Sequence, residues 1–173
     1  MKLNTLLLLC LCACSDHLSV APHSSPYDCS GDVCVCDGSQ SGCDVDCNAN
    51  CDLSCHSGGN CAESCGDGCK LACASVTNCA LDCGANCTLD CASLATCNVK
   101  SGALAKLSCE SVSNCDFEVG SASTVTCTSV GSCDVKCDGD CHVTCTNVGN
   151  CNVSCASGSD VDCGNGVHAC GKC

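Results

Sequence analysis

The eighteen residues CALDCGANCTLDCASLAT (79–96) decide the fold. Cysteine stands at positions 1, 5, 9 and 13 of this unit. The same frame returns without a gap in the units that begin at Cys43, Cys61, Cys97, Cys115, Cys133 and Cys151, although some lack a sulfur at position 5 or 9. A fixed short period is the signature of a solenoid, in which each unit buries its apolar face only against its neighbours. Within a unit the apolar pattern has period two. Position 3 holds Val45, Leu81, Val99, Phe117, Val135 and Val153; position 11 holds Leu53, Leu71, Leu89, Leu107, Val125, Val143 and Val161. Alternation of this kind predicts short strands with one face inward. Turn residues such as Gly84-Ala85-Asn86 and Asp138-Gly139-Asp140 separate the two strands, and Ser111-Val112-Ser113-Asn114 typifies the second corner. No window carries helical periodicity. The expected fold is all-β: a parallel β-solenoid of about seven 18-residue coils, two short strands per coil, laced by a disulfide ladder. At about 4.8 Å per coil the rod would be roughly 34 Å long.

The composition requires such lacing. The chain has 31 cysteines in 173 residues, no Trp, one Phe and one Tyr. A small protein without the side chains for an ordinary core substitutes covalent links for burial.

The repeats constrain which cysteines pair. In the unit at Cys97, positions 5 and 9 are Ser101 and Ala105; in the unit at Cys115 they are Val119 and Ser123. Both cysteines are lost together, twice, while positions 1 and 13 remain. Joint loss predicts that 5 pairs with 9, giving Cys47–Cys51, Cys65–Cys69, Cys83–Cys87 and Cys137–Cys141. Position 13 could close onto position 1 of its own coil or of the next. The six-residue step to the next coil climbs about a third of the 4.8 Å rise and the twelve-residue step within a coil twice that. Pairing within a coil also strands cysteines at both ends, farther apart than the ~7 Å between Cα atoms that a disulfide spans. The next coil is therefore expected: Cys55–Cys61, Cys73–Cys79, Cys91–Cys97, Cys109–Cys115, Cys127–Cys133, Cys145–Cys151 and Cys163–Cys170. Cys155 then falls to Cys173. Pairing among Cys29, Cys34, Cys36 and Cys43 is left open.

The first residues, MKLNTLLLLCLCACSD, combine a lysine, an apolar run and a small residue before a cysteine, the pattern of an export signal. Leu11-Cys12-Ala13-Cys14 resembles the lipobox of bacterial lipoproteins, with Leu at −3, Ala at −1 and the modified Cys at +1; Cys12 at −2 departs from the usual Ser, Ala or Thr. The resemblance implies cleavage before Cys14, diacylglycerol on its sulfur and acylation of its amine, so that the lipid bilayer is the one partner implied. Ser15 at +2 would, in many bacteria, permit transfer to the outer membrane. The domain reading is then a signal peptide (1–13), a lipid-anchored polar tether (14–28), a Cys-rich cap (29–42), the solenoid (43–163) and a C-terminal disulfide clasp (164–173). Loss of Cys10 and Cys12 and lipidation of Cys14 leave an even number of cysteines, as expected in an oxidising compartment. The chain as a whole resembles uncharacterised cysteine-rich bacterial lipoproteins, and its core architecture is similar to the disulfide-laced β-helical antifreeze proteins.

A formal net charge of −13 argues against nucleic acid and anionic membrane surfaces as partners. The pairs Asp44/Asp46, Asp138/Asp140 and Asp160/Asp162 read as a solvated acidic face rather than a cation site. His17, His23, His56, His142 and His168 share no spacing. Cys170-Gly-Lys-Cys173 has redox spacing but no helix follows it, so a structural clasp is favoured. No cofactor, metal site or catalytic residue is expected. Glu63 stands at position 3, among Val, Leu and Phe; the cost of an inward carboxylate favours a local twist that turns it outward over a buried functional carboxylate. The function expected is a non-catalytic, rigid structural or adhesive module on the outer membrane or cell surface. The alternatives are an ice-binding protein, which the antifreeze resemblance implies and which Thr124-x-Thr126 alone matches, and a thiolate metal-sequestering protein.

Overall fold

A computed structural model describes residues 27–37 and 42–173. The expected signal peptide, the lipidation site Cys14, His17 and His23 lie outside the described residues. The elements are β1 (Tyr27–Ser30), β2 (Val33–Asp37), β3 (Cys43–Cys47), β4 (Asp52–Cys65), β5 (Lys70–Cys83), β6 (Thr88–Ala92), β7 (Thr96–Ser101), β8 (Lys106–Glu110), β9 (Asn114–Val119), β10 (Ser123–Thr128), β11 (Ser132–Cys137), β12 (Cys141–Thr146), β13 (Asn150–Cys155), β14 (Asp160–Gly164) and β15 (Val167–Cys170). Among the described residues there is no helix.

The 18-residue period becomes the hydrogen-bond register. Cys79 stands beside Cys97, Cys97 beside Cys115, Cys115 beside Cys133 and Cys133 beside Cys151, all in parallel strands. One row of strands, built from positions 1–5, runs from β3 through the second halves of β4 and β5 to β7, β9, β11 and β13. The other runs from β2 through the first halves of β4 and β5 to β6, β8, β10 and β12. This is the parallel β-solenoid of about seven turns expected from the sequence.

Both corners recur because the same backbone conformation recurs. At position 15, Ser57, Ser75, Ser93, Ser111, Ser129, Asn147 and Asn165 all adopt positive φ, between 55° and 58°. Short polar side chains tolerate this left-handed region better than branched ones. Position 6 imposes a different constraint. Gly66, Gly84, Gly102 and Gly120 stack directly, with Gly84 N donating to Gly66 O (3.1 Å) and Gly102 N to Gly84 O (3.0 Å). A Cβ on Gly102 would lie 2.9 Å from Ala85 N, so only glycine lets neighbouring coils close there.

The lumen is filled by the columns the alternation predicted. Leu53, Leu71, Leu89, Leu107, Val125 and Val143 are buried, as are Leu81, Val99, Phe117 and Val135, and Val76, Leu94, Val112 and Val130 at position 16. Where the 5–9 sulfurs are missing, apolar volume takes their place: Phe117, Val119 and Ala105 are almost wholly buried. Ser123, also buried, accepts a hydrogen bond from Ala105 N at 3.1 Å. Val161 departs from its column and is 38% exposed. Its strand, β14, does not stack on β12. Instead β15 turns back, pairs antiparallel with β12 and carries β14 on its far side.

At the other end β2 occupies positions 10–14 of a preceding half coil, with Cys34 beside Leu53 and Cys36 beside Cys55. The solenoid thus begins within the segment expected to be a separate cap. Its first edge is covered by the antiparallel β1.

These packing differences predict uneven local stability. Amide hydrogen exchange should be faster over residues 97–127, which lack 5–9 links, than over 61–91. Phe117→Ala should cost about 3–5 kcal/mol there, as for other buried Phe→Ala changes, and accelerate exchange in that stretch alone. Uniform protection that ignores Phe117→Ala would show that neither the missing disulfides nor the ring matters locally.

Candidate functional site: the disulfide ladder and its ends

Every cysteine from Cys34 to Cys173 is disulfide-bonded. Across the 5–9 turn the structure joins Cys47–Cys51, Cys65–Cys69, Cys83–Cys87 and Cys137–Cys141, with Cα separations of 6.1–6.5 Å. Between coils it joins Cys55–Cys61, Cys73–Cys79, Cys91–Cys97, Cys109–Cys115, Cys127–Cys133 and Cys145–Cys151, at 6.3–6.8 Å. Cys36 bonds to Cys43 at 6.2 Å. Cys36 stands at position 13 of the half coil, so this is the same inter-coil link. Its sequence signal was Val33-Cys34-Val35-Cys36, alternating like any coil strand and ending seven residues before Cys43. The β1–β2 register sets Cys29 opposite Cys34.

The C-terminal pairing differs from expectation. Cys163–Cys170 and Cys155–Cys173 are not formed; the structure has Cys155–Cys170 and Cys163–Cys173, at 5.6 and 5.5 Å. The cause is the chain reversal. Position 9 of the last coil is Ser159, which cannot close the turn with Cys155. The antiparallel β15 sets Cys170 opposite Cys141, a position-9 cysteine, and so supplies the missing sulfur one layer on. Cys163, carried outside by β14, is left for Cys173.

Glu63 also departs from expectation. It faces inward and is 2% exposed. Val45 and Leu81 flank it in register, and neither carboxylate oxygen has a hydrogen-bond partner. The reason lies two residues away on either side. Cys61 and Cys65 are both buried and both bonded across the lumen. With period two, their inward phase forces residue 63 inward as well. Turning Glu63 out would pull one of those sulfurs from its partner. Burial pushes its pKa up to about 8.

Apart from Val33 and Val35 on β2, the outward faces are mostly polar. On the first row Lys136 Nζ donates to Glu118 Oε1 at 2.9 Å, and this bond, with the charges of Lys136 and Lys100, holds the Glu118 carboxyl below its usual range. Asn152 Nδ2 and Ser132 Oγ donate to Asp134 at 2.6 and 2.7 Å and lower its pKa likewise. Asp44, Asp46, Asp138, Asp140, Asp160 and Asp162 are all exposed. Asp160 pairs with His168 Nδ1 at 3.0 Å, and Asp162 Oδ1 accepts from Gly164 N at 2.8 Å. His56 and His142 are exposed, apart from that pair. Thr124 and Thr126 share the second row's outward face with Asp90 and Lys106. Three sulfurs converge at Cys36/Cys43/Cys55, Cys47/Cys51/Cys65 and Cys137/Cys141/Cys170, where disulfides of neighbouring layers meet.

No family model, curated protein or solved structure matches the chain. The density of disulfides is consistent with an extracellular or exported protein.

The Glu63 environment sets a pH dependence. Below pH 4.5 the carboxyl is protonated in folded and unfolded chains alike. From there to about pH 8 only the unfolded chain ionises, so stability falls as pH rises. The fall is on the order of 4–5 kcal/mol in total. Glu63→Leu should melt higher than the parent protein, by a margin that widens between pH 4.5 and 8. A margin independent of pH would mean that the carboxylate is solvated.

Proposed function

We propose that the chain is a non-catalytic, exported lipoprotein that acts as a rigid structural or adhesive module, held to a bacterial outer membrane or cell surface by lipid on Cys14. The observation that supports this reading most is the unbroken inter-coil ladder, from Cys36–Cys43 to Cys145–Cys151. Each coil is tied to the next, so the rod transmits load through covalent bonds as well as backbone hydrogen bonds. Proteolysis of such a chain would require opening that is cross-linked at every layer. The outward rows offer charged and hydroxyl-bearing side chains in a fixed 18-residue lattice, suited to repeated contact with a surface. Below the rod, the stretch SDHLSVAPHSSP (15–26), which ends where β1 begins at Tyr27, would act as the tether between lipid and solenoid.

The anchor is tested by Cys14→Ala. The protein should move from the membrane fraction to the soluble exported fraction, with its β-rich circular dichroism unchanged. A Cys14→Ala protein that stays with membranes would refute the lipid anchor. A soluble but unfolded one would show that Cys14 serves the fold instead.

A further inference from the structure

We propose that the Cys163–Cys173 disulfide is a thiol-capture site, where the rod exchanges an exposed bond for a covalent link to a thiol-bearing partner. The chemistry stands on the geometry of the clasp; its use in attachment rests on the adhesive reading above.

Among the described residues, access singles this bond out. The inter-coil links from Cys55–Cys61 to Cys127–Cys133 join buried residues throughout, and Cys155–Cys170 has its buried half at Cys170. Cys173 is exposed and Cys163 half-buried, and their bond lies on the far side of the clasp, joining β14 to the segment after β15. Cys145–Cys151, half-buried at both ends, is the nearest competitor. Thiol–disulfide exchange depends on access to the sulfur that is attacked. Loss of this bond also leaves the solenoid's own links intact, because neither cysteine belongs to the ladder.

Charge selects which sulfur is attacked. Lys172 adjoins Cys173, whereas Asp162 adjoins Cys163. An incoming thiolate is drawn toward the first and repelled from the second. Its sulfur bonds to Cys173 Sγ, the bond from Cys173 to Cys163 breaks, and Cys163 leaves with the electron pair and takes up a proton. One disulfide replaces another, so no oxidant or reductant is consumed. The released thiol has an acceptor at hand: Cys163 Sγ lies 3.6 Å from Val161 O.

The test treats the full oxidised protein with a few equivalents of 2-mercaptoethanol, a small neutral thiol, at mildly alkaline pH. Aliquots are quenched in acid, alkylated and mapped without reduction. The expected first product is a mixed disulfide on Cys173 with Cys163 alkylated, forming about tenfold or more faster than any product at Cys145, Cys151, Cys155 or Cys170. The β signal should not change. The double variant Cys163→Ser/Cys173→Ser should form no early adduct while keeping that signal. A first adduct on Cys163 or at Cys145–Cys151, or no adduct before the ladder itself opens, overturns the proposal, and these outcomes in the parent protein do so whether or not the variant folds. Capture by a rod that shows no adhesion would retain the site and remove the adhesive reading.

Discussion

The disulfide from position 13 of one coil to position 1 of the next is the constraint on which the rest depends. A parallel stack has no short-range signal of its own to fix register, and a slip of one residue would turn every lumen side chain to solvent. Here a slip would also misalign sulfurs across the corner. Because each link closes only a short loop, its entropic contribution per bond is modest in the chain-entropy model. Repetition along the rod makes the set large. The links also set the phase of the strands, and so decide which face of each strand is inward.

That phase locking accounts for features that packing alone would not. Glu63 is inside because Cys61 and Cys65 are inside, and two bonds outweigh one desolvated carboxyl kept neutral by its raised pKa. The coils at Cys97 and Cys115 show the converse. Without a 5–9 sulfur pair, they keep their phase through the inter-coil links and fill the vacated volume with Phe117 and Val119. Sulfur and hydrocarbon are interchangeable as lumen filling, whereas the inter-coil link is present at each step from β2 to β13.

Much of this was legible because the chain carries its own internal alignment. The strict spacing exposed the coils, the strands and the two kinds of link. Legibility failed where a residue's fate depends on elements outside its own repeat. The desolvation cost of Glu63 points outward, but its orientation is decided by neighbours two positions away. A continuing solenoid would join Cys163 to Cys170 and Cys155 to Cys173, but β15 reverses direction, and nothing in a periodic pattern announces where the period ends. Cys36 belongs to a half coil whose connection to the first full coil is one residue longer than the rest. The positive φ shared by seven corner residues was likewise visible only in the backbone.

The most direct test of the ladder is a peptide map of the native protein, digested without reduction at acidic pH, where exchange is suppressed. The expected bonds are Cys91–Cys97, Cys109–Cys115 and Cys127–Cys133, each joining one coil to the next. Cys97 bonded to Cys109, or Cys115 bonded to Cys127, would close the coils on themselves and contradict it.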